Sequence, residues 1–184
     1  VVDNIDGIEV TCMDVAMPMV IARASDFGLT GDETQDALDN NNAFFEQLEK
    51  VRLAAAKKMG MGDCSTSVTP KFGIVAPNDQ INHLTVRYFM PWRTHPTLAV
   101  TGSQCIASCA LTPDTVAYPL VTKSDSIPAH LVLHHPMGTM DVITDYSLSD
   151  GMFVHKSAGI IRTARKLAGG ELFIPTSIWD GDSN

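Results

Sequence analysis

The stretch VRYFMPWRTHPTLAVTGS, from Val86 to Ser103, gathers the side chains best suited to hold a carboxylate. Arg87 and Arg93 offer planar guanidinium forks that match a carboxylate with two parallel hydrogen bonds. His95 can take or give a proton near neutral pH, or can serve as a hydrogen-bonded loop residue. Thr97, Thr101 and Ser103 add hydroxyls, and Gly102 lets another group come close to the backbone. A plainer reading stands beside this one. Thr101-Gly102-Ser103 can be a helix cap with a packing glycine, and the two arginines can be surface or strand-pairing charges.

The segment that follows decides how these residues are held. From Thr97 to Leu111 there is no Asp, Glu, Lys or Arg. A helix that is apolar or small on every face is buried on every face. Fifteen residues make a helix of roughly 22 Å, which fits inside a domain. The chargeless stretch is therefore expected to be a central helix with a sheet curled around it. Its first backbone N–H groups lack intrahelical partners and carry about half a positive charge. With hydroxyls nearby, that end is a candidate anion site.

Other chemistry-bearing residues read less specifically. Cys105 and Cys109 lie four apart on one face of this helix and are most simply small buried hydrophobes. Cys12 and Cys64 complete a set with no CxxC pair, which suits a reducing cytoplasm. His134-His135 precedes Pro136 and Gly138 as a strand-to-turn transition, and no third metal ligand stands at usable spacing, so no metal is expected. Asp14 is the odd charge at an apolar strand end, either a turn residue or a residue facing a cleft.

A net charge of −8 over 184 residues and the lack of a basic stripe exclude nucleic acid as the main partner. No apolar run reaches the roughly 18 residues that span a bilayer, so no membrane partner is expected. The opening VVDNIDGIEV is too acidic for a signal peptide. The first residue is not Met, and the chain is expected to be part of a longer protein.

Strands are expected at Ile8–Met13, Met19–Ala24, Lys71–Ala76 and His83–Phe89, and near 116–120, 129–134, 139–144, 152–162 and 172–175. A longer outer helix is expected from Thr34 to Met59, weakened at its start by Asn40, Asn41 and Asn42 and ended by Gly60 and Gly62. Many short strands with two helices give an α+β domain: a mostly antiparallel β-roll around a buried central helix, plus one longer outer helix. All of 1–184 reads as a single domain.

Four blocks in order, TCMDVAMPMVIARASDFGLTGDE, VRYFMPWRTHPTLAVTGSQCIASCAL, HHPMG and IIRTARKLAGGELFIP, resemble the PrpF family. Its members include methylaconitate isomerases and oxalomesaconate tautomerases, and it belongs to the diaminopimelate epimerase-like superfamily. The resemblance implies two similar domains, each a β-roll around a central helix, with substrate between the two helix N-termini. This chain resembles the second, C-terminal domain. The proton-transferring Cys and Lys of the family lie in the first domain, which would then be its partner. Diaminopimelate epimerases carry a further Cys at the mouth of the second central helix, where this chain has Val100 and Thr101. Their Asn-Pro-His turn appears here as Met17-Pro18-Met19. The first departure speaks against a two-thiol racemase, and the second removes one ligand expected for an amino-acid substrate.

What the resemblance implies is a cofactor-independent isomerase that moves a proton in a small unsaturated di- or tricarboxylate. Thr97, Thr101, Gly102 and Ser103 would cradle one carboxylate, with Arg93 or Arg87 pairing it. His95 would orient a carboxylate or hydroxyl, and Asp14 and Met17 would line the wall. Met17 leans the substrate toward oxalomesaconate. The alternatives are an amino- or hydroxy-acid epimerase of the same fold, and a carboxylate-binding domain with no catalysis of its own. A hotdog-type thioesterase would want a longer apolar helix. The face that meets the first domain should be apolar, which would let the chain self-associate as a homodimer.

Overall fold

A computed structural model describes residues 1–149 and 152–181. Its strands are β1 (Asp3–Ile5), β2 (Ile8–Asp14), β3 (Pro18–Arg23), β4 (Lys71–Pro77), β5 (His83–Met90), β6 (Arg93–Thr94), β7 (Ala129–His135), β8 (Gly138–Ser149) and β9 (Met152–Ile160). The α-helices are α1 (Gln35–Asp39), α2 (Asn42–Lys58) and α3 (Val100–Leu111). The strands form one sheet in the order β1-β2-β3-β4-β5-β7-β8-β9, with β6 paired to β5. Most neighbours are antiparallel. The pairs β3–β4 and β5–β7 are parallel, as strands joined by helical crossovers must be.

The two crossovers lie on opposite faces of the sheet. Alternation along each strand sorts the side chains between them. Met19 and Ile21 of β3, Val75 of β4, and Leu84, Val86 and Tyr88 of β5 share a core with α3. Val20, Ala22, Phe72, Ile74 and Phe89 face the other way and pack with Phe44, Leu48, Val51 and Ala55 of α2. The sheet curls so that β2 and β3 from one end and β7, β8 and β9 from the other all reach α3. Gln104 Nε2 donates to the Ala158 carbonyl of β9 at 3.1 Å, tying the helix to the far edge. This is the roll around a buried helix that a chargeless segment requires. Residues Cys105 to Leu111 are all buried.

The long outer helix divides where the three asparagines stand. Asn40 ends α1 and its side chain donates to the Asp36 carbonyl at 2.7 Å. Asn41 caps α2 by accepting from the Phe44 amide at 3.1 Å. Two expected strands are absent. Residues 118–120 form a 3₁₀ turn. Pro119 has no amide to give a ladder, and the Val116 amide is taken by the Thr11 hydroxyl at 3.0 Å. Residues 172–175 form no strand, and Leu172 and Phe173 are exposed. Two unexpected strands appear, β1 and the two-residue β6. The first is closed by Asp6-Gly7, both at positive φ (51° and 86°), a turn built for hairpins. No helix of the described residues is long and apolar enough to cross a membrane.

Candidate active-site half at the mouth of the central helix

The buried helix α3 begins at Val100, three residues later than its lack of charge suggests. Ala99 takes the N-cap position and offers no side-chain cap. The first helical hydrogen bond runs from the Ser103 amide to the Ala99 carbonyl at 2.8 Å. The amides of Val100, Thr101 and Gly102 precede it and have no helical carbonyl to reach. Alanine is among the poorer N-caps, so the end of the dipole is left uncovered. Val100 is 42% exposed, and the mouth opens outward.

The Arg-Thr-His-Pro loop is fixed beside that mouth by α1 and β5. The Thr94 amide donates to Asp39 Oδ1 at 2.8 Å, and the Thr94 carbonyl accepts from Gln35 Nε2 at 3.2 Å. The His95 amide donates to the Tyr88 carbonyl at 2.7 Å. His95 Nδ1 accepts from the Thr97 amide at 3.0 Å, with the Thr97 hydroxyl at 3.3 Å. A neutral imidazole that accepts at Nδ1 carries its proton on Nε2. His95 therefore keeps a donor free for a ligand. Arg93 is exposed at the start of this loop and makes no ion pair among the described residues.

Tyr88 underlies both pieces. Its ring meets the His95 ring edge-on, with centroids 5.8 Å apart at 84°. A Cβ on Gly102 would fall 2.2 Å from Tyr88 Cε2, so only glycine fits there. The Tyr88 hydroxyl is buried without a partner, as is the Thr94 hydroxyl. Burial first, and then the Cys105 thiol, push the Tyr88 phenol up to about 12. Burial likewise pushes the Cys105 thiol up to about 12 and Cys109 up to about 11. Both cysteines are protonated, fully buried packing residues. Tyr88, Thr94, Gln35 and Asp39 were not singled out in the sequence. Of these, only Tyr88 has a signal in the sequence, the alternation Leu84, Val86, Tyr88 along a strand.

The remaining candidates separate. Ser103 is buried, and its hydroxyl donates to the Val100 carbonyl at 2.7 Å, back into its own helix. Arg87 alternates onto the sheet face opposite α3. Its Nε donates to the Glu33 carbonyl at 2.7 Å and its Nη1 to the Val86 carbonyl at 2.9 Å. Asp14 is exposed at the end of β2, and Met17 is half-buried against the core around α3. Both flank the β2–β3 turn, and Cys105 Sγ lies 3.7 Å from the Met13 carbonyl just before it. His134 is 2.7 Å from His83 Nδ1 on the other face of β5 and β7. No three His, Cys, Asp or Glu side chains gather as a metal group among the described residues. A concavity lies elsewhere, along the outer face of α2 between Asn42 and Leu53. It is a shallow groove on one helix and holds none of these residues.

Residues 1–175 match the profile of the PrpF protein family. The chain belongs to the PrpF family. The putative isomerase YbhH of Escherichia coli strain K12 is 37% identical over 174 residues, which is 95% of this chain and 49% of YbhH. The 4-oxalomesaconate tautomerase of Pseudomonas putida is 34% identical over 179 residues, 97% of this chain and 48% of the tautomerase. This PrpF chain thus spans about half the length of the curated relatives it matches. The crystal structure of a methylitaconate-delta-isomerase superposes with a TM-score of 0.73 over 95% of this chain and 53% of its own, at 24% identity. That likeness bears on the fold, and it agrees with the roll described above.

Proposed function

We propose that this chain is the C-terminal half of a two-domain PrpF isomerase acting in the cytoplasm, and that the mouth of α3 binds one carboxylate of an unsaturated di- or tricarboxylate. The carrying observation is the uncapped first turn of a helix buried from Cys105 to Leu111, with three free amides, in a PrpF chain. Fixed amides hold the negative charge that develops when a proton leaves carbon next to a carboxylate. Thr97 and Thr101 add hydroxyls at the rim, the His95 Nε2–H orients the ligand, and Arg93 pairs its charge. Gly102 gives the backbone its close approach. The direct acid and base belong to the other half of the protein. An oxalomesaconate-like substrate is favoured, since a tautomerase named for it is 34% identical.

The segment after β9 supports a covering partner. Leu167, Leu172 and Phe173 are 87–89% exposed, and Ile178 is 78% exposed. Large apolar side chains left in the open are what another domain would cover. The test is a calorimetric titration of this chain with aconitate, oxalomesaconate and a neutral ester of each. Weak anion binding that the esters lack, and that Arg93→Ala and Thr101→Val both lose, is expected. Isomerisation by this chain alone would overturn the assignment of acid and base to the other half. Equal binding of ester and anion would overturn the carboxylate site.

A further inference from the structure

Two parts of the proposed half-site come from different elements. His95 sits in the loop after β6, and the free amides sit in the first turn of α3. The residue that touches both is Tyr88. Its carbonyl accepts from the His95 amide at 2.7 Å, and its ring is edge-on to the imidazole. The same ring fills the space under Gly102, where an added Cβ would lie 2.2 Å from Cε2 and 2.9 Å from Cζ. Tyr88 is 1% exposed, so neither ring nor hydroxyl can reach a ligand. The hydroxyl finds no hydrogen-bond partner. A buried hydroxyl without a partner adds nothing to stability. What Tyr88 supplies is the volume and flatness of its ring.

We propose that Tyr88 is a positioning residue: its ring sets the spacing between the His95 imidazole and the first-turn amides of α3, while its hydroxyl is dispensable. This rests on the reading of the α3 mouth as a carboxylate site. A wider ring would push α3 outward through Gly102, and a smaller side chain would let α3 settle and His95 tilt. Gly73 works in the same sense from β4. It stands opposite Tyr88 in register, and a Cβ there would lie 3.2 Å from Met19 Cε and 3.4 Å from Ile106 Cδ1. Two glycines therefore let α3 lie close to the sheet, and Tyr88 is the spacer that stops it.

The experiment titrates the wild-type chain and four variants with tricarballylate, a saturated tricarboxylate, and follows the His95 ring protons by NMR. Tyr88→Phe is expected to keep both the affinity and the His95 resonances. Tyr88→Leu and Gly102→Ala are each expected to weaken binding about tenfold or more and to shift those resonances. The double variant Tyr88→Leu with Gly102→Ala is expected to regain part of the affinity, because the new methyl occupies space the ring has left. General destabilisation would add the two losses instead. If wild type does not bind tricarballylate at all, the carboxylate reading falls and this inference with it. If wild type binds and Tyr88→Leu binds equally, or Tyr88→Phe loses the affinity, the spacer role alone is overturned. Should Tyr88→Leu fail to fold, Gly102→Ala carries the test, and unchanged affinity in it refutes the proposal.

Discussion

The most sensitive single position for folding is predicted to be Arg52, on the inner face of α2. Its guanidinium is fully buried. Nε and Nη2 form a bidentate pair with Glu49 at 2.7 Å each. Nη2 also donates to the Cys64 carbonyl at 2.9 Å. Nη1 lies 3.3 Å from the Ser67 and Thr69 carbonyls and 3.4 Å from that of Pro70. The 61–70 segment has no helix or strand of its own, so Arg52 is what orders it. Arg52→Met keeps the apolar stem but strands these carbonyls. Removing one partner of a buried ionic network costs about 3–5 kcal/mol. The long Nη1 contacts and the 25% exposure of Glu49 place the loss near the lower half of that range, about 3 kcal/mol. Against a total stability of about 5–15 kcal/mol this is a large share. With a urea slope of about 2 kcal/mol per molar, the midpoint should fall by about 1.5 M. Arg52→Lys should lose nearly as much, since one ammonium cannot reproduce a planar fork. Limited proteolysis should then cut first between Met61 and Pro70. A midpoint shift below about 0.5 M, with that segment still protected, would refute the reasoning.

The other expectations are smaller or more local. Ser103→Ala removes a hydroxyl that bonds only within α3, so it should cost about 1 kcal/mol of stability and leave carboxylate affinity unchanged, as denaturation and calorimetry would show. Burial keeps the Cys105 and Cys109 thiols protonated, so iodoacetamide at about pH 8 should leave both unlabelled in the native chain and label both in urea, read by mass spectrometry. Burial works to raise the Glu33 pKa, but bonds from the Thr30 amide, the Thr30 hydroxyl and the Gly31 amide outweigh it, and the value is lowered from 4.5. A depressed carboxylate stabilises the fold above its unfolded pKa and loses that contribution as pH falls through the folded one. The stability gap between wild type and Glu33→Gln should therefore hold steady above pH 4.5 and close below it; a gap that widens in acid would reject the assignment.

What was legible in the sequence follows a physical divide. A helix buried on every side must be written without charges, so α3 could be read from composition alone, and the curled sheet followed from it. The strands β3, β4 and β5 could be read because they are buried on both faces, and β2 from its alternating pattern. Where a single backbone group decides the outcome, apolar pattern is not enough. Val116 to Leu120 is apolar enough for a strand, but Thr11 captures the Val116 amide and Pro119 has none to give. The strand β1 hung on Asp6-Gly7, a hairpin turn whose signal lies in two residues. The site divides in the same way. Its uncovered helix end was visible as a run of small residues, but the helix begins at Val100, which moves Thr97 into the loop and gives it to His95. Arg87 and Tyr88 are neighbours, and the pleat sends them to opposite faces. With Leu84, Val86 and Tyr88 turned toward α3, Arg87 falls on the opposite face. The arginine carries the charge, yet the residue touching both His95 and Gly102 is the aromatic beside it. At the mouth of a buried helix the groups that bind can be few and backbone-borne, provided that something rigid spaces them. A side chain chosen for its shape leaves no chemical signature in a sequence, and this is why the spacer was the part that only the fold could reveal.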